Sequence, residues 1–71
     1  MAQQTTQGQA VDLNSASEQE LARVPGVGET RARKIVEYRK RNGRFQRLDD
    51  LRRVEGFSDD LISAMRHSIR V

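Results

Sequence analysis

Residues 24–31, Val-Pro-Gly-Val-Gly-Glu-Thr-Arg, place a proline and two glycines between apolar residues and then run directly into a charged segment with helical spacing. Pro25 pushes Val24 out of the α region and so ends the helix before it. A turn that reverses the chain within four residues needs positive φ or close backbone approach, and Gly26 and Gly28 permit both. Val27, between the glycines, points inward and staples the flanking helices together. What remains outside is a turn without bulky side chains that ends at the free N–H groups of the following helix. Such N–H groups, reinforced by the helix dipole, form a ready anion site.

Upstream, Asn14-Ser-Ala-Ser-Glu-Gln-Glu-Leu-Ala-Arg-Val24 spells a capping box, with Ser17 as N-cap and Glu20 three residues on. The spacing predicts a helix of about two turns with Leu21 and Val24 on one face. Downstream, a second helix is expected from about Glu29 to Asn42, with Ala32, Ile35 and Val36 as its buried stripe and Gly43 just past its end. Phe45 plugs the connector, Leu48, Leu51 and Val54 mark a short third helix, and Ser58 caps a fourth whose apolar face is Ile62, Met65 and Ile69. Residues 1–11, rich in Gln and Thr, read as a flexible tail such as a cleaved export signal or a cloning boundary leaves, and 12–71 as one domain.

An internal repeat ties these pieces together. Residues 20–28, "ELARVPGVG", align with 50–58, "DLRRVEGFS", at an offset of 30: Leu21/Leu51, Arg23/Arg53, Val24/Val54 and Gly26/Gly56 are identical. The fold expected is therefore all-α, a duplicated helix-turn-helix of four short helices in two units related by a pseudo-twofold. With 4% aromatic residues and no alternating Val/Ile/Thr runs, strands are not expected.

At 71 residues, with 35% hydrophobic and 32% charged residues, the chain has a thin core and a solvated surface. It has no cysteine, which excludes disulfides and thiolate metal sites. It reads as soluble, having no apolar run of the ~18 residues a membrane span requires. Net charge is +3, but residues 31–47 alone hold eight basic residues against one acid, Glu37. On a helical wheel Arg31, Lys34, Tyr38 and Arg41 form a stripe away from Ala32, Ile35 and Val36. Beside a glycine turn, that stripe points to an anionic partner. Arg39 falls on the buried stripe and reads as structural, its stem packed and its guanidinium bonded to backbone carbonyls or a carboxylate. Tyr38 either stacks or packs at the rim, and His67 reads as a surface residue. Asp49, Asp50, Glu55, Asp59 and Asp60 could suggest a metal, but helix N-terminal charge accounts for most of them.

From Asn14 to Val71 the sequence resembles the tandem helix-hairpin-helix domain of the ComEA-type competence proteins. The resemblance rests on "NSAS", Glu-Leu before "VPGVG", Tyr-Arg with Asn-Gly-Arg-Phe in the connector, and Asp-Leu with Val-Glu-Gly before the second hairpin. It implies binding of double-stranded DNA without sequence preference, with no catalysis and no cofactor, for DNA uptake in natural transformation. The partners would be duplex DNA and the uptake machinery, at a periplasmic or cell-surface location. Carried over by position, the DNA-binding residues are Pro25, Gly26, Val27, Gly28, Thr30, Arg31 and Lys34, with Arg41 further along the stripe and Gly56 and Ser58 in the second hairpin. Hairpins of this type can also hold a monovalent cation on carbonyls, here at Val24 to Val27. Two departures stand out. Ser58 replaces the second glycine and is followed by Asp59 and Asp60, so the first hairpin should dominate. Arg47 replaces the usual Ser or Thr cap, which weakens the expectation for the third helix. The rival readings are a protein-interaction module of the same fold, like an extrinsic subunit of photosystem II, and the DNA-gripping part of a repair complex.

Overall fold

The computed structural model describes residues 10–71. Ser17 opens α1 (Glu18–Ala22), its Oγ accepting from Glu20 N at 3.1 Å while Glu20 Oε1 accepts from Ser17 N at 2.9 Å. After the Pro25 turn, α2 runs over Gly28–Asn42 and stops at Gly43, whose φ of +86° only glycine adopts freely. The third helix, Leu48–Arg53, is a 3-10 helix, and α3 spans Asp59–Met65. At three residues per turn, Leu48, Leu51 and Val54 eclipse one another, so a single i, i+3, i+6 row suffices to face the core.

The duplicated pattern extends through the packing. Pairs at the offset of 30 are buried together: Leu21 with Leu51, Val24 with Val54, Val27 with Phe57, Ala32 with Ile62, and Ile35 with Met65. α1 packs on α2 and the 3-10 helix on α3, so each hairpin is one packed pair. Phe45, 1% exposed, fills the space beneath the connector and stacks on Tyr38 with ring centroids 5.0 Å apart. Val36, expected in the core of α2, packs at its edge.

Four expectations need correction. Val11, assigned to the tail, belongs to the fold, and residues 1–9 lie outside the described residues. Strands were not expected, yet β1 (Val11–Asp12) and β2 (Ile69–Arg70) form a two-residue parallel ladder. Val11 N and Leu13 N donate to the carbonyls of Ser68 and Arg70, at 2.9 and 2.8 Å. Ile69 is buried as anticipated, but on β2: the helix ends at Met65 and a turn bonded from Ser68 N to Met65 O swings Ile69 inward. Finally, the missing cap at Arg47 is compensated from within the helix, where Asp50 Oδ2 accepts from Gln46 N at 2.8 Å and Arg47 N at 3.2 Å. Those donors, the Gln46 N–H foremost, hold the Asp50 carboxyl below its ordinary value.

Arg39 has the role its wheel position indicated, donating from Nη1 to Leu13 O at 2.8 Å. The Asn14 side chain bridges the same region, accepting from Phe45 N at 2.6 Å and donating to Phe45 O at 3.1 Å. Together these bonds tie the residues ahead of α1 to the last turn of α2 and to the connector that leads to the second hairpin. Among the described residues no helix is long and apolar enough to cross a membrane.

Candidate nucleic-acid interface

The two turns are built alike. Val27 N donates to Val24 O at 3.0 Å and Phe57 N to Val54 O at 3.3 Å, with Gly26 at φ +91° and Gly56 at φ +98° in the third position. A positive φ at that position is the type II requirement, and Pro25 suits the position before it. Val27 and Phe57 point inward and are buried. Pro25, Gly26, Gly28 and Thr30 are exposed at the first turn, and Gly56 and Ser58 at the second.

One residue further on, the hairpins diverge. Gly28 keeps a left-handed φ of +71° and starts α2, whose N-cap, Val27, supplies no side-chain acceptor. Ser58 instead adopts an extended backbone, and its Oγ accepts from Leu61 N at 3.2 Å. The start of α2 thus offers backbone donors on a bare glycine surface, while α3 occupies part of its own. Glu29 stands in the first turn of α2, against Asp59 and Asp60 in that of α3.

The basic stripe is also used unevenly. Arg31 donates from Nε to Gly56 O at 2.8 Å and from Nη1 to Gly26 O at 3.4 Å. Its guanidinium therefore joins the glycine carbonyls of both turns. The repeat explains the geometry: a Cβ on Gly56 would lie 3.6 Å from Arg31 Nε, and one on Gly26 would lie 3.0 Å from Leu61 Cδ1, and Leu61 is the position 30 residues after Arg31. Each hairpin rests the residue five positions after its own turn glycine on the other's glycine. The same contact puts a cation at Gly26 O, inside the carbonyl set where a monovalent ion was considered.

Lys34 Nζ pairs with Glu55 Oε1 at 3.0 Å. Lys34, Tyr38 and Arg41, with Glu37 and Asn42, line one wall of a shallow groove of about 210 Å³, and Arg53, Val54 and Glu55 line the other. The stripe read from the helical wheel is thus brought against the end of the 3-10 helix. Arg53 and Glu55 were not among the expected site residues. Glu55 stands where the first hairpin has Pro25, and that charge difference was the available signal.

Four of the five acidic residues considered for a metal have other partners: Asp49 lies 3.9 Å from Arg66, Asp59 2.7 Å from Arg52, Glu55 3.0 Å from Lys34, and Asp50 caps the 3-10 helix. Among the described residues no cluster of three or more His, Cys, Asp or Glu side chains could hold a metal ion.

A family model describing the helix-hairpin-helix motif matches residues 6–70. The chain belongs to the helix-hairpin-helix family. Similar proteins include ComE operon protein 1 of Bacillus subtilis (strain 168), 38% identical over 64 residues, which are 90% of this chain and 31% of that protein. Endonuclease/exonuclease/phosphatase family domain-containing protein 1 of Homo sapiens is 38% identical over 61 residues, 86% of this chain and 11% of its own length. S1 RNA-binding domain-containing protein 1 of Pongo abelii is 33% identical over 61 residues, 86% of this chain and 6% of its own. The chain thus spans less than a third of each of these relatives, and the match with them is a match of the helix-hairpin-helix unit.

Proposed function

We propose that this helix-hairpin-helix domain is a binding module that grips the phosphates of double-stranded DNA without sequence preference, chiefly through its first hairpin. The observation that carries this reading is the start of α2: exposed glycines, no side-chain cap, and a 15-residue helix that is basic along its outer stripe. Backbone N–H groups at such a terminus complement a phosphate by both hydrogen bonding and dipole. Because they meet the backbone and not base edges, they carry no sequence information. Pro25, Gly26, Gly28 and Thr30 would form the contact surface and Lys34 and Arg41 would extend it. Arg31 would act mainly by holding the second hairpin in place. Similarity to ComE operon protein 1 and to the ComEA-type competence proteins supports a finer role, capture of external DNA at the cell envelope.

The test is fluorescence anisotropy with two unrelated duplexes of equal length at several salt concentrations, for the wild type, Gly28→Asn and Gly28→Asp. Asn tolerates the left-handed conformation and adds no charge, and Asp places a carboxylate where the phosphate would sit. Nothing lies within 4 Å of a Cβ at this position, so both side chains have room. Equal affinities for the two duplexes are expected, with a log–log salt slope of about −4 to −5 for four to six neutralised phosphates. Gly28→Asp should weaken binding by roughly tenfold or more relative to Gly28→Asn. Absence of binding at low salt would overturn the DNA reading and favour a protein partner. Equal binding by the two variants would move the grip away from the first hairpin.

A further inference from the structure

The groove between α2 and the end of the 3-10 helix is lined by three cations, Lys34, Arg41 and Arg53, and two carboxylates, those of Glu37 and Glu55, of which Glu55 is the one paired with a groove cation, Lys34. We infer that where Lys34 and Arg41 extend the contact surface they form, with Arg53, a phosphate subsite for the DNA backbone, and that Glu55 is its removable counter-charge. The inference rests on the DNA-binding reading and extends it to a site that lies outside the hairpin turn.

The placement is favourable. Lys34 lies six residues beyond Gly28, about 9 Å along the helix axis, so a strand resting on the first hairpin continues toward the groove. A volume near 210 Å³ has room for a phosphodiester group in place of several waters of ~30 Å³ each. Arg41 and Arg53 have no carboxylate within 4 Å among the described residues, so their charge is available to a ligand. Tyr38, held by its stack on Phe45, provides a fixed wall between Lys34 and Arg41.

Glu55 sets the occupancy. Its side chain is 84% exposed and that of Lys34 34%, so the pair is a surface ion pair that is readily exchanged. A phosphate entering the groove must displace this carboxylate from Lys34 or bind beside it against its repulsion. The turn itself does not require the acid, because the first hairpin closes the same turn with Pro25 at that position. The charge therefore acts on the ligand, not on the fold.

A double-mutant cycle with Glu55→Gln and Lys34→Met tests the inference, read as duplex affinity at low salt. Met keeps the Lys34 stem, and Gln keeps the Glu55 shape. Glu55→Gln should raise the affinity roughly two- to fivefold, as expected for freeing one exposed ion-paired cation, and steepen the salt slope by about 1. In the Lys34→Met background the gain should vanish. A gain of equal size in both backgrounds would show that Glu55 acts only on the overall field, and no gain in the wild-type background would show that phosphate does not enter the groove. Either result overturns the subsite while leaving the hairpin grip intact. If the wild type binds no duplex, the DNA-binding reading fails and the subsite fails with it.

Discussion

The two hairpins share a turn and differ in the residues just beyond it. Both close with the same backbone bond, both place glycine at positive φ, and both bury the next residue, Val27 or Phe57. Then the first keeps a second glycine and an uncapped helix start, while the second has a serine that caps its own helix and two aspartates behind it. Duplication has thus preserved the packing side of each unit and released the outward side. The packing side is constrained because Arg31 and Leu61 cross the pseudo-twofold onto Gly56 and Gly26. The outward side is free to become a grip in one hairpin and a support in the other.

The largest stability difference should appear at the two crossing glycines. Alanine at either position must hold a left-handed φ, at a cost of about 1–2 kcal/mol. Gly26→Ala additionally drives its Cβ to 3.0 Å from Leu61 Cδ1, whereas at Gly56 the nearest atoms are 3.6 Å away on the Arg31 side chain. We expect Gly26→Ala to cost about 2–4 kcal/mol and Gly56→Ala about 1–2 kcal/mol, measured by urea denaturation. For a domain of this size the first loss approaches the whole of its ~3–5 kcal/mol. Equal costs would mean that Leu61 yields freely and that the crossing contacts are interchangeable.

How much of this was legible in the sequence depends on the range of each interaction. The capping box at Ser17 and Glu20, the helix stop at Pro25, the inward Val27 and the buried stripe of α2 are set by neighbours within one turn, so residue order reveals them. The repeat was legible because Gly26 and Gly56 recur at a fixed offset with their apolar neighbours. Arg39 was assigned correctly because a charge on a buried stripe must find an acceptor, although nothing local names Leu13 O as that acceptor. The β1–β2 ladder was not legible: two residues at each end pair only because the folded helices bring Val11 beside Ile69. The Asn14 bridge to Phe45 spans 31 residues and is invisible to periodicity for the same reason. Arg31 shows the limit at the candidate site. A helical wheel places it on the outer stripe, and only the second hairpin's position shows that its guanidinium turns back to Gly56 O.

A smaller effect sharpens the contrast at the helix starts. Ser58→Ala removes the acceptor for Leu61 N and should cost about 1 kcal/mol. In a domain of this length that lowers Tm by roughly 4–8 °C. Ser58→Gly, which restores the residue found at position 28, should cost only a few tenths of a kcal/mol. Duplex affinity should be unchanged in both. A marked gain in affinity for Ser58→Gly would show that the second hairpin is a grip held closed by its own cap.

The smallest effect concerns the caps that precede the hairpins. Glu20 and Asp50 are equivalent in the repeat, and each accepts from the backbone N–H of the residue three before it, Ser17 or Arg47. Ser17 returns a bond from its hydroxyl, which Arg47 has no acceptor to do, and Asp50 takes Gln46 N instead. Because the Gln46 N–H holds the Asp50 carboxyl below its ordinary value, the charged form is favoured by folding. The resulting stabilisation is fully present above the ordinary carboxylate range and is lost as pH falls through the lowered folded value. Asp50→Asn should therefore be less stable than the wild type at neutral pH, with the gap closing as pH falls below about 4. Thermal denaturation from pH 7 to pH 3 reads this directly. A gap that stays constant with pH would mean that Asp50 caps by shape alone, and the one-sided cap of the second unit would then be electrostatically equivalent to an uncharged one.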